Sequence, residues 1–185
     1  MLAHIPNLIS LARLLMVPLV VYLVLNERMV AGFWLFVAAG VSDAVDGYIA
    51  KRFDASSLLG RYLDPLADKA LLVAVFVLGG YMDFLPGWLV ILVVFRDVMI
   101  VGGAILFYTL DRPPTMPPLL VSKVNTALQI VLAAAALAFR GYELDLAALQ
   151  TALEYAVAAT TLASGGAYLV KWGRLAATIE GDRNP

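Results

Sequence analysis

Four of the five aspartates in Ser42–Lys69, SDAVDGYIAKRFDASSLLGRYLDPLADK, fall into two closely spaced pairs. Asp43 and Asp46 are three residues apart, and Asp64 and Asp68 are four apart. On helices, each pair shares one face. Two such faces turned toward each other offer a cluster of carboxylate oxygens, the donor set preferred by hard divalent cations. The surroundings make the cluster costly. The chain is 62% hydrophobic, and its mean hydropathy is +0.87. A charged residue at a bilayer centre costs about 2.5–3.5 kcal/mol on insertion scales. Four carboxylates in such a setting need partners, and their spacing makes cations the natural ones.

Small and basic residues accompany the acids. Gly47 and Ala50 follow Asp43 at helical spacing, and Gly60 precedes Asp64 by one turn. Small side chains beside acidic faces let a bulky ligand approach the backbone. Lys51 and Arg52 follow directly. Carboxylates for cations, small residues for clearance and basic groups for phosphate oxygens suit a metal-bound diphosphate. Intramembrane aspartates also serve ion and proton pathways, so an ion or proton transporter is the competing class. Its discriminating result is ion flux in liposomes without nucleotide release.

Composition narrows the chemistry further. With no cysteine in 185 residues, disulfides, thiolate ligands and cysteine nucleophiles are excluded. The only histidine is His4, which rules out a multi-histidine metal site. The net charge of −1 gives no reason to expect a nucleic-acid partner. Met1–Pro6 lacks a basic n-region, and no small-residue cleavage site follows Leu25, so the first apolar run reads as a retained helix.

Six hydrophobic stretches must position these residues: Leu8–Leu25, Val30–Ile49, Leu63–Tyr81, Gly87–Tyr108, Pro118–Phe139 and Leu149–Val170. Each is near the roughly 20 residues needed to cross a bilayer. The separators are Asn26–Arg28, Lys51–Gly60, Met82–Pro86, the proline-rich Asp111–Pro117 and Arg140–Asp145. The expected fold is an all-α integral membrane bundle of six transmembrane helices forming one domain over residues 1–185, with a polar tail over about 175–185. Six spans put both termini on one side, together with Lys51, Arg52, Arg61, Arg112, Lys123, Lys171, Arg174 and Arg183. The other side receives Arg28 and Arg140. This bias makes the termini and the aspartate cluster cytoplasmic.

The pattern D43-x2-D46-G47-x2-A50-K51-x8-G60-x3-D64-x3-D68 resembles the signature of the CDP-alcohol phosphotransferase family. It departs at one position, where Lys51 replaces the usual arginine and Arg52 is adjacent. The resemblance implies a six-helix membrane enzyme, commonly a homodimer, with two divalent cations (Mg²⁺ or Mn²⁺) on a CDP-linked lipid. It implies that Asp43, Asp46 and Asp64 ligate metal, and that Asp68 completes the cluster and acts as general base. It also implies that Gly47, Ala50 and Gly60 pack around the nucleotide, with Lys51 near phosphate.

The wider chain, roughly Ile5–Gly173, is similar to bacterial and mitochondrial members. IPNLISLARLLMVPL, DPLADK, FRDVMIVGG and SKVNTALQ most resemble the CMP-forming cardiolipin synthases. That resemblance implies phosphatidyl transfer from CDP-diacylglycerol to phosphatidylglycerol, giving cardiolipin and CMP, in a bacterial inner membrane with the site facing the cytoplasm. The alternative acceptor is glycerol 3-phosphate, used by phosphatidylglycerophosphate synthases. Those enzymes carry R-E-x6-R and a Lys-x-Lys-Thr segment; Arg96 and Asp97 open the first pattern here, but Ala104 and Asn125 replace its second arginine and the second lysine. Fewer cations fit a less charged acceptor.

Other positions keep two readings. Asn7, Ser10 and Arg13 face either the nucleotide and metal or the lipid head groups, with Arg13 snorkelling. Arg96 and Asp97 are either a buried polar network or a phosphate contact. Lys123 is either an acceptor-phosphate ligand or part of the positive bias. Trp34, Trp88 and Trp172 fall near span ends, as aromatic belts do. The pairs Gly79–Gly80, Gly102–Gly103 and Gly165–Gly166 allow close helix packing or a dimer contact.

Overall fold

A computed structural model describes the backbone of residues 4–53, 60–109 and 119–181, and the side chains of residues 12–43, 69–107, 109 and 119–175. The described residues form six helices and no strands. They are α1 (His4–Leu25), α2 (Met29–Phe53), α3 (Gly60–Tyr81), α4 (Gly87–Thr109), α5 (Leu120–Gly141) and α6 (Ala147–Gly181). All six apolar stretches are therefore helical. Two ends run further than the hydropathy pattern indicates. α2 carries Lys51 and Arg52 inside the helix, and α6 continues past Val170 through most of the expected tail. Both extensions consist largely of good helix formers, which prolong a helix after the apolar run stops.

α4, over Gly87–Phe107, and α5 are long and apolar enough to cross a membrane. Among the described residues, α1, α2 and α3 contribute shorter apolar stretches, Ala12–Leu25, Met29–Asp43 and Lys69–Tyr81. α6 is diluted by Ala, Thr, Ser and Gly.

Each helix turns one stripe inward, and those stripes make the core. Val20 and Val24 of α1 meet Phe36 and Ala39 of α2, Val75 and Phe76 of α3, Leu89 and Val93 of α4, Leu132 and Ala136 of α5, and Val157 of α6. The i, i+3/i+4 spacing within these sets is that of amphipathic helices packed on one core. Toward one end of the bundle, the same stripes become polar. Arg13 lies two turns before Val20, Asp43 two turns after Phe36, and Arg96 and Asp97 one turn after Val93. Asn125 and Gln129 precede Leu132, while Thr161 and Ser164 follow Val157. Arg13, Arg96, Asp97, Asn125, Gln129, Thr161 and Ser164 are all buried.

The opposite end is built from three similar chain reversals. Glu27, Asp83 and Glu143 follow α1, α3 and α5 with φ of 57°, 58° and 53°. Beside them, the amides of Arg28, Phe84 and Leu144 donate to the carbonyls of Leu23, Gly79 and Phe139. These are Schellman caps, which satisfy the last helical carbonyls. Glycine is the usual residue at the left-handed position; here an acid occupies it each time. The three acids, together with Asp145 and Arg140, line a cavity of about 720 Å³.

Glycine contacts are chiefly internal. A Cβ on Gly103 would run into the Trp172 ring, and one on Gly79 would stand 2.7 Å from Leu85. Trp172 therefore packs across α4 and α6, against Phe107 and Tyr168. That is helix packing. Gly102 and Gly166 face open space.

Candidate active site

The polar end is organised around two ion-pair systems. In the first, the Arg13 guanidinium on α1 donates to Asp43 Oδ1 on α2 at 2.7 Å. Arg13 is 1% exposed, whereas the Asp43 side chain is 44% exposed. Burial excludes snorkelling for Arg13: the cation is spent inside the bundle, on one of the acids of the motif.

The second system spans four helices. Lys69 Nζ on α3 lies 2.6 Å from Asp97 Oδ2 on α4. Arg96 holds the other oxygen, Asp97 Oδ1, at 2.9 Å. The second amino group of Arg96 donates to Ser122 Oγ on α5 and Ser164 Oγ on α6. Its guanidinium stands 6.0 Å from the centre of the Tyr168 ring, a cation–π distance. Of the two readings for Arg96 and Asp97, the buried polar network is what the geometry shows.

One turn deeper, Asn125 Oδ1 accepts from Thr160 Oγ1 and Thr161 Oγ1, each at 2.9 Å. Asn125 is fully buried against α6. The amide at 125 therefore takes part in packing α5 against α6. Ala104 is half-buried on α4. Lys123 is exposed in the first turn of α5.

Arg13, Asp43 and Lys69 converge on one groove of about 580 Å³. Its other described lining is mostly apolar, with Phe36, Leu71 and Leu72 on one side and Thr126, Ile130 and Ala134 on the other. Thr126, Ile130 and Ala134 fall at i, i+4 and i+8, one face of α5. A charged mouth above an apolar trough is the shape that an anionic lipid head group and its acyl chain would fill. Mostly apolar clefts with a few placed polar groups are the common form of small-molecule sites.

Asn7 lies on α1; Asp46, Gly47, Ala50 and Lys51 lie on α2; Gly60, Asp64 and Asp68 lie on α3. Their side chains are outside the described residues. Asp43 is thus the described member of the acid motif, and its carboxylate stands at the groove mouth. Sequence reasoning missed Lys69, Ser122 and Ser164. A usable signal for Lys69 was its place directly after Asp68 at the boundary of an apolar run.

The all-helical bundle brings Arg13, Asp43 and Lys69 to a mostly apolar groove, and comparison with known proteins identifies its class. The CDP-alcohol phosphatidyltransferase family matches residues 3–163, and this chain belongs to that family. It is 34% identical over 180 residues to the cardiolipin synthase (CMP-forming)/mitochondrial hydrolase fusion protein of Schizosaccharomyces pombe, covering 89% of this chain and 30% of the relative. It is 35% identical over 190 residues to CDP-diacylglycerol–glycerol-3-phosphate 3-phosphatidyltransferase 1, chloroplastic, of Oryza sativa subsp. japonica, covering 93% and 58%. It is 37% identical over 150 residues to the cardiolipin synthase (CMP-forming) of Rattus norvegicus, covering 72% and 50%. The chain spans between 30% and 58% of the length of these relatives.

Proposed function

We propose that residues 1–185 form one membrane domain that transfers a phosphatidyl group from CDP-diacylglycerol to a hydroxyl of phosphatidylglycerol, giving cardiolipin and CMP. The groove carries this reading: it joins Asp43 and Lys69 to an apolar trough fit for an acyl chain. Family membership supports phosphatidyl transfer over the ion-pathway alternative. The acceptor hydroxyl oxygen attacks the phosphorus nearer the diacylglycerol. The bond from that phosphorus to the bridging oxygen breaks, and CMP leaves with the electron pair. Asp68 accepts the hydroxyl proton, a general-base role.

Asp43, Asp46, Asp64 and Asp68 would hold two divalent cations, Mg²⁺ or Mn²⁺. Carboxylate oxygens suit such hard ions, and the exposed carboxylate of Asp43 at the groove mouth fits the assignment. Bound cations would polarise the diphosphate and stabilise the charge on departing CMP. Gly47, Ala50 and Gly60 would leave room for the nucleotide, while Lys51, Lys123 and Asn7 would contact phosphate or nucleotide. Arg13 would act by holding Asp43.

The proposed setting is a bacterial inner membrane, with six spans, both termini cytoplasmic and a homodimeric assembly. Lysine and arginine bias supports the orientation; the resemblance to family members supports the dimer.

The rice relative favours a second reading, with glycerol 3-phosphate as acceptor. Purified protein should release CMP from CDP-diacylglycerol when phosphatidylglycerol and Mg²⁺ or Mn²⁺ are both present. A chelator should abolish release, and adding the cation back should restore it. Release with glycerol 3-phosphate and none with phosphatidylglycerol would move the assignment to the second reading.

A further inference from the structure

We propose that Lys69 grips the phosphate of a diacyl lipid in the groove, and that Asp97 is the positioning residue that aims it. This rests on the phosphatidyl-transfer reading and assigns that site a residue outside the aspartate motif.

Charge placement carries the argument. In the Lys69–Asp97–Arg96 system two cations share one carboxylate, leaving one positive charge in surplus. Arg96 is 5% exposed and committed to Asp97, Ser122 and Ser164. The surplus therefore reaches the groove through Lys69, whose side chain is 33% exposed and lines it. The other described cation of the groove, Arg13, is buried on Asp43. A lysine ammonium has three donors. The ion pair with Asp97 holds the ammonium at the edge of the groove, where its hydrogens can meet phosphate oxygens at the top of the apolar wall. Asp97 is itself held by Arg96, which is tied to α5 and α6. The lysine next to the proposed base is thus referenced to the bundle rather than left to a flexible stem.

The test is two-substrate kinetics in detergent micelles, with CDP-diacylglycerol and phosphatidylglycerol varied independently. Lys69→Gln should raise KM for one of the two lipids about tenfold, with a smaller fall in kcat, and which KM rises identifies the phosphate held. Lys69→Arg should recover most of the loss. Asp97→Asn should raise the same KM at least threefold alone, and less than twofold in the Lys69→Gln background. Asp97→Glu provides a charge-retaining variant should Asp97→Asn fold poorly, and should raise that KM less. Unchanged KM for both lipids in Lys69→Gln would overturn the proposal. So would an Asp97→Asn effect that persists undiminished without Lys69.

Lipid retention in native mass spectrometry is independent of turnover. Wild type should retain phosphatidylglycerol or CDP-diacylglycerol over phosphatidylcholine, and Lys69→Gln should lose that preference. Equal retention by both proteins would overturn the role of Lys69. Absence of CMP release by wild type with any acceptor would overturn the phosphotransfer reading, leaving retention to decide Lys69.

Discussion

Gln129 shows how far a single side chain can run against its surroundings. It is fully buried on α5, and neither amide atom has a hydrogen-bond partner among the described residues. A buried polar group left unsatisfied costs about 1–3 kcal/mol. Gln129→Met keeps the volume and removes the polar atoms, so it should stabilise the bundle by about 1 kcal/mol, read as a higher unfolding midpoint in detergent. Asn125, one turn away, differs because its oxygen receives two threonine hydroxyls. At this scale the sequence was legible where spacing carries the information. Acids three and four apart share one face once the segments are helical, and both segments are. It was opaque where the information is facing. Nothing near Asn125 says that it looks at α6, and nothing near Lys69 says that its partner is Asp97, on the next helix.

Among the elements, the acidic Schellman caps carry a measurable strain. A left-handed backbone costs a residue with a Cβ roughly 1–2 kcal/mol, with Asp and Asn better tolerated. Glu143→Gly should relieve most of that cost, less the added freedom of the unfolded chain, which is about 0.4–1 kcal/mol. The expected net gain is up to about 1 kcal/mol, with a smaller gain for Asp83→Gly. Thermal unfolding of the two variants side by side checks both the sign and the order. The helices themselves were easy to read, because six apolar runs separated by polar turns leave few alternatives. Their ends were not. α2 and α6 outlast their hydropathy because helix propensity and hydropathy report different things, and charged residues such as Lys51 and Arg174 extend a helix well.

At the scale of the whole molecule, the bundle has two unlike ends. Ion pairs and hydroxyls from six helices gather at one, and acid-capped turns line a cavity at the other. The proposed topology puts these ends on opposite sides of a membrane. Because the chain has no cysteine, single cysteines can test this directly. A cysteine at Asp145 should react with an impermeant maleimide in intact cells, and one at Lys123 only after the membrane is opened. Reaction of both in intact cells would refute the orientation. The polarity was visible beforehand as an imbalance of Lys and Arg; the convergence of the six inward stripes was not, since it depends on how helices distant in sequence rotate against each other. One contact also bears on how the protein is made. Arg13 reaches its carboxylate partner thirty residues downstream. Under the proposed six-span topology, that pairing would form only once α2 has emerged. In that topology the first helix would complete its charge pairing with Asp43 only as one half of a hairpin with the second.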